Sequence, residues 1–337
     1  MTCVPHPAAQ PSDSNLIRAS RLLGDLDLTV CTDGTFLLDG GAMFGVVPKT
    51  LWSRRTPADE NNNILLGLNA LVIRFPGSAR MPSALVVIET GLGNKLTPKQ
   101  REIHANQEFL PASLAAAGVR PEDVTHVVNT HLHFDHCGWN TTLHPDGRII
   151  PTFPNARYFF AAGELAHGRL QHDRDRVSYL SPNYDPLLAS GQLTLLDPHG
   201  RGGFSPDDPR LRNPEAPNLP LPTIQTSPEI LPGLTVEPFP GHTASMLAIH
   251  IESRSSGGEA RHAVYTGDLF PTHNHLDPTW VMGYDLDPIR CIDERKRLLA
   301  RAIPEHWLLI FPHDHHVPAT HIALNDKGRP IVDQAPL

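Results

Sequence analysis

The sequence predicts an α/β fold in which two mixed β-sheets pack face to face with helices outside. Three observations carry that expectation. Short apolar runs of strand length alternate with stretches of helical periodicity. Histidines and carboxylates recur just after those runs, where a strand ends and a loop begins. The chain has 337 residues, 40% of them hydrophobic, which permits a sizeable core in one large domain or two ordinary ones; no second domain announces itself.

The elements follow in order. Residues 1–20 are rich in Pro and Ser and lack a continuous apolar run, so they read as a flexible arm, neither signal peptide nor membrane anchor, ahead of a single domain over 21–337. Residues 26–32 and 35–38 read as paired strands around an Asp33-Gly34 turn. Residues 71–75 and 84–90 give two more strands. Residues 99–118 give a helix with Gly118 at its end and Pro111 marking a break or restart. An apolar run at 124–128 is a buried strand. After it come a strand at 156–160, a helix at 161–170 and a strand at 193–196. Between 197 and 233 proline and glycine recur and apolar periodicity disappears; this Pro-rich insertion reads as surface decoration rather than a lid. Residues 246–252 and 262–266 form a hairpin over a Ser/Gly-rich loop, and 293–303 a final helix. The mixed charges from Asp293 to Arg297 read as its exposed face.

The densest chemistry lies in Thr130-His131-Leu132-His133-Phe134-Asp135-His136, directly after the strand at 124–128. Side chains alternate along a strand, so His131 and His133 point the same way, and the turn can return Asp135 and His136 toward them. Neutral imidazole and carboxylate are ligands that Zn²⁺ and its neighbours prefer, and two groups of ligands in one turn suit two metals sharing a water. Three later strand ends supply the rest: His242 in Pro240-Gly241-His242-Thr243, Asp268 in Tyr265-Thr266-Gly267-Asp268, and His313 in Phe311-Pro312-His313. His315 competes with His313, which is preferred for its place at the strand end after Pro312.

On these residues the chain resembles the metallo-β-lactamase-fold hydrolase superfamily, from about Gly34 to His316. The segment from Asp39 to Lys49 and the stretch from Asp268 to Pro288 look more narrowly like the branch of quorum-quenching N-acyl-homoserine-lactone lactonases and methyl-parathion-hydrolase-like enzymes. The resemblance implies that His131, His133 and His242 hold a first metal, that Asp135, His136 and His313 hold a second, and that Asp268 bridges both. It implies Zn²⁺ first, with Mn²⁺, Co²⁺ or Fe²⁺ as alternatives. Two departures stand out. Glu89-Thr90-Gly91 replaces the family's usual Asp-Thr-Gly, and Leu269, Phe270 and Pro271 occupy positions where some lactonases carry a tyrosine that assists the carbonyl oxygen; Tyr284 is the candidate to reach in instead.

The reaction these expectations describe is hydrolysis of a lactone or ester, an N-acyl-homoserine lactone among them, by a hydroxide bridging two divalent cations, the alkoxide leaving with help from the second metal or from a proton delivered by Asp135. Phosphotriester or β-lactam hydrolysis on the same site is the nearest alternative, and a non-hydrolytic iron oxygenase or redox protein a more distant one. The loop from Gly40 to Trp52 carries Met43, Phe44 and Trp52, which either wall a substrate pocket or fill the core beneath it; Phe270, Trp280 and Tyr284 raise the same question. No Gly-x-Ser-x-Gly elbow offers a serine nucleophile.

A net charge of −8 without a long basic run argues against a nucleic-acid partner, and no window is apolar enough to cross a bilayer. Cys3, Cys31, Cys137 and Cys291 are scattered, which fits a reduced, cytoplasmic protein, with Cys137 a packing residue. The expected partner is a small-molecule substrate; a homodimer stays open.

Overall fold

The strand Asn63–Phe75 is buried on both faces, which is why layers lie on either side of it. Leu71, Ile73 and Phe75 enter one apolar core, Ala70 and Val72 a second. The computed structural model describes residues 16–77, 82–216, 218–254, 258 and 260–333. Within them, eight strands form a first sheet in the spatial order Ile17–Leu23, Leu26–Asp39, Asn63–Phe75, Ala84–Ile88, His126–Val128, Arg157–Ala161, Leu193–Leu196 and Thr223–Gln225. A second sheet has the order Glu229–Leu231, Leu234–Pro238, Leu247–Arg254, Ala260–Tyr265, Leu308–Ile310 and Ala319–Thr320. Both are mixed: antiparallel hairpins on one side give way to parallel pairs such as Ala84–Ile88 with His126–Val128, and Ala260–Tyr265 with Leu308–Ile310.

The two sheets meet through Leu28, Val30, Leu71, Ile73, Val86 and Ile88 on one face and Leu247, Ile249, Ile251, Tyr265 and Ile310 on the other. Each such side chain withdrawn from water contributes roughly 1.5–3 kcal/mol against the entropy of ordering it. Helices Leu110–Ala116, Ala162–Leu170 and Asp185–Ala189 cover the outside of the first sheet, and Pro288–Ala302 the outside of the second. This is the metallo-β-lactamase fold expected from the sequence.

Several local expectations change. Residues 1–15 of the expected arm lie outside the described residues, and Ile17–Leu23 is already a paired strand. The Asp33-Gly34 turn is instead an irregularity inside one long strand, Leu26–Asp39, where the register shifts between Thr32 and Thr35. The extra residue turns the Asp33 carboxylate inward. There it accepts from the backbone N–H of Leu92 at 2.9 Å and Leu110 at 2.8 Å, and from Trp139 Nε1 at 2.9 Å. The helix expected over 99–118 is two short helices, Pro98–His104 and Leu110–Ala116, the restart at 110 placing Pro111 in a first turn. In Pro288–Ala302 the expected exposed face is only partly so: Arg295 is fully buried and donates to Leu269 O at 2.6 Å and Trp280 O at 2.7 Å. The insertion at 197–233 is largely irregular, and it contributes edge strands to both sheets.

Topology places the chemistry. Leu234–Pro238 and Ala260–Tyr265 both run antiparallel to Leu247–Arg254, and Leu308–Ile310 is parallel to Ala260–Tyr265. The segments bearing His242, Asp268 and His313 therefore leave the second sheet from the same edge. The segment after His126–Val128 leaves the first sheet beside them, joined by the Leu247 N–H donating to Thr130 O at 2.9 Å.

Candidate metal centre

The seven side chains singled out in the sequence converge. Ligand atoms of His131, His133 and His242 lie within 4.8 Å of one another, as do those of His131, His136 and Asp268, and those of Asp135, His136 and His313. His242 Nε2 stands 3.1 Å from His133 Nδ1, and His313 Nε2 stands 3.0 Å from His136 Nε2. The Asp268 carboxylate sits between the two groups. Its Oδ2 is 3.4 Å from His242 Nε2, while its Oδ1 is 3.5 Å from His136 Nε2 and 3.2 Å from His313 Nε2. Asp135 Oδ2 lies 3.7 Å from His136 Nε2 and 3.5 Å from His313 Nε2. With 11% of its side chain exposed, against 8% or less for Asp268, His136 and His313, Asp135 is the acid nearest the opening.

Four of the five rings have a partner at the far nitrogen; the Nε2 of His133 is buried without one. His131 Nδ1 meets Thr130 Oγ1 at 2.9 Å, His242 Nδ1 meets Asp285 Oδ1 at 3.0 Å, His313 Nδ1 donates to Gly67 O at 3.0 Å, and His136 Nδ1 faces Glu89 Oε2 at 3.2 Å. A nitrogen that donates outward leaves the other with a lone pair facing inward. Glu89 also accepts from Thr130 N–H at 2.7 Å, so the longer acid in place of the family's usual aspartate ties the ring of His136 to the start of the histidine loop. Glu89 adopts a left-handed backbone, φ 62°, to do so.

The donor set fits divalent cations. The lone pairs of His136 and His313 facing each other at 3.0 Å repel unless a proton or cation lies between them. His131 Nε2 and Asp268 Oδ1 are buried without a hydrogen-bond partner, which costs free energy that coordination removes. Burial, then the neighbouring imidazoles, hold His131 and His133 well below the ordinary imidazole value, leaving both neutral and able to ligate. Burial opposes a charge on Asp268, but His313, His136 and His242 outweigh it and keep the carboxyl well below its usual range.

His315 is not part of this cluster: its ring lies against that of His316, centroids 3.8 Å apart and planes tilted by 40°. His275 donates from Nε2 to Met43 O and meets Thr272 Oγ1 at Nδ1, and is a core residue; His273 is paired with Asp314. Cys137 is buried, its thiol donating to Leu132 O and His133 O, a packing role as expected.

The pocket expectation is corrected for Met43, Trp52 and Phe270. All three are buried, Met43 and Trp52 in a cluster with Phe36, Ile64 and Leu66, and Phe270 in the core beneath Pro288–Ala302. Apolar side chains on a strand-end loop gain more by closing over one another than by facing water. Phe44 is packed between Trp52 and His275, with ring centroids 5.3 and 4.8 Å away, but also lines a cavity of about 250 Å³ that reaches His313. Trp280 and Tyr284 are half-buried at the margin of that cluster. Burial, then Asp135 and Asp39, push the Tyr284 hydroxyl up to about 12. Thr130, Asp285 and the Gly67 carbonyl escaped the sequence reading: a threonine, an aspartate and a backbone oxygen carry no spacing that marks them as supports for a ligand.

The metallo-beta-lactamase superfamily profile matches residues 69–313, most of the chain. The chain belongs to the metallo-β-lactamase superfamily. It is therefore a metal-dependent hydrolase, and its described residues include clusters of His and Asp that could hold metal ions. A probable metal-dependent hydrolase from Staphylococcus aureus is similar at 28% identity and a TM-score of 0.72, over 94% of this chain and all of that one. The hydrolase AbOPH of the beta lactamase superfamily aligns at 19% identity and a TM-score of 0.68, over 94% of this chain and 97% of its own. AidC, a dizinc quorum-quenching lactonase solved with the product N-hexanoyl-L-homoserine, aligns at 18% identity and a TM-score of 0.65, over 96% of this chain and all of its own. At those last two identities the likeness is one of fold alone.

Proposed function

We propose that this chain hydrolyses small lactones or esters at a centre of two divalent cations, Zn²⁺ foremost. The observation that carries the reading is the Asp268 carboxylate, which turns one oxygen toward His242 and the other toward His136 and His313, as a bridge between two triads requires. His131, His133 and His242 would hold the first cation; Asp135, His136 and His313 the second. Cations there supply Lewis acidity and a water activated near neutral pH.

The chain's own residues do the rest. Asp135, the most open acid of the set, is placed to give a proton to the departing alkoxide and to take one from water. Tyr284, kept protonated at neutral pH and near enough to Asp135 to feel its charge, would be the donor to test for a developing oxyanion. Phe44 and the cavity beside His313 provide apolar surface for part of a small substrate. The likeness in fold to AidC makes N-hexanoyl-homoserine lactone the first substrate to try. Free, buried Cys31, Cys137 and Cys291 support a cytoplasmic location, and the net charge of −8 a small-molecule rather than a nucleic-acid partner.

The test is metal analysis of the purified protein with a pH-stat screen over lactones, carboxylic esters, phosphotriesters and β-lactams. Two equivalents of metal and turnover on lactones or esters are expected. Turnover confined to phosphotriesters or β-lactams would move the reading to those substrates, and two bound metals with no turnover on any class would defeat it.

A further inference from the structure

The first triad is drawn from both sheets, His131 and His133 from one and His242 from the other, and a buried carboxylate spans the seam between them. Glu164, in the first turn of Ala162–Leu170, is fully buried. Its Oε2 accepts from Leu132 N–H at 3.2 Å and from the Tyr179 hydroxyl at 3.1 Å, and its Oε1 accepts from Thr243 Oγ1 at 2.5 Å. Leu132 lies between His131 and His133; Thr243 follows His242. Tyr179 also packs its ring edge-on against His133, centroids 5.0 Å apart. The neighbouring Gly163 permits the approach, since a Cβ there would fall 1.9 Å from Ser245 Oγ in the turn after His242. His136 and His313 have other supports, Glu89 and the Gly67 carbonyl.

We propose that Glu164 is a positioning residue that fixes the distance between His131/His133 and His242 by hydrogen bonding, and so sets the cation affinity of the first triad independently of the second. The proposal rests on the two-metal reading above. Groups that orient ligands typically govern affinity by about 10–100-fold, because a misplaced ring must be reordered at the moment of binding. Glutamine can make all three contacts: its carbonyl oxygen accepts from Leu132 and Tyr179, and its amide donates to Thr243 Oγ1. Methionine has similar volume and makes none.

The experiment titrates metal-free protein with Co²⁺ against a chromophoric chelator while recording the visible absorption of the bound ion. Wild type, Glu164→Gln, Glu164→Met and Thr243→Val are compared, with His242→Ala marking the spectrum of protein lacking the first triad. Expected is a Glu164→Met protein whose first-triad affinity falls about 10–100-fold while the other equivalent binds as in wild type. Glu164→Gln should stay close to wild type, and Thr243→Val should shift in the same direction as Glu164→Met by less. Equal loss at both triads, wild-type binding by Glu164→Met, or equal weakening by Gln and Met would each overturn the proposal. If Glu164→Met does not fold, unchanged first-triad affinity in Thr243→Val overturns it. Wild type taking up fewer than two equivalents would instead defeat the two-metal reading.

Discussion

At the scale of single residues, metal chemistry restricts the choice of letters so strongly that candidate ligands stand out in the sequence, and the structure brings those side chains together. A side chain that must present a lone pair or an anionic oxygen at a strand end is almost always His, Asp, Glu or Cys, and six of the seven candidates are nearly fully buried although polar. His131→Ala and Asp268→Ala are each expected to abolish turnover and to lower bound metal; either variant retaining two equivalents and full activity would remove that residue from the site. Asp285 acts one step further out. Its Oδ1 holds His242 Nδ1 and its Oδ2 accepts from Met282 N–H at 2.9 Å, so it fixes both the ring and the turn behind it. Asp285→Ala should weaken cation binding about 10–100-fold, read by chelator competition, and unchanged affinity would show that the ring needs no such support. Asp285 could not be singled out beforehand, because an aspartate two residues before the N-cap Asp287 reads as another helix-start acid.

Elements were legible where the period of burial was clear and illegible where a few polar contacts overrode it. The strands Leu247–Arg254 and Ala260–Tyr265 pair as the hairpin expected from their alternation. Asp33-Gly34 misled because a turn dipeptide and a bulge use the same letters; what separates them is the set of donors from residues distant in sequence that the Asp33 carboxylate meets. The same hairpin carries a pH-sensitive contact. His262 Nε2 lies 2.9 Å from His250 Nδ1, its ring stacks on Trp307 at 3.9 Å, and Glu237, Arg301 and Glu252 surround the pair. Burial, then His250 and Arg301, lower the His262 pKa from 6.5 to about 3. Between those values the unfolded chain binds more protons than the folded one, so stability present above pH 6.5 is lost as pH falls toward 3. Urea midpoints of wild type should therefore drop more between pH 7 and pH 4 than those of His262→Gln, and an equal drop in both would place the acid sensitivity elsewhere.

For the whole molecule, the two-sheet architecture was legible because strands, helices and ligand positions alternate in an order that few packings satisfy. Which apolar residues line a pocket was not: Met43, Trp52 and Phe270 have the same letters whether they face substrate or one another, and only three-dimensional packing decides. The arrangement also couples metal to fold. Ligands leave both sheets, so a cation bound at the centre is bound by the folded chain and scarcely by the unfolded one. Binding at a hundredfold excess over Kd then stabilises by about 2.7 kcal/mol per site, which for a chain of this size raises Tm by roughly 4 °C per site. Removing metal with a chelator should lower Tm by that order, and restoring Zn²⁺ or Co²⁺ should raise it with metal concentration. In His242→Ala, where the second sheet no longer contributes to the first triad, the response should shrink toward that of a single site. A Tm unmoved by chelation, in protein shown to have carried metal, would mean that the sheets hold their spacing unaided and that the cations bind a site already rigid.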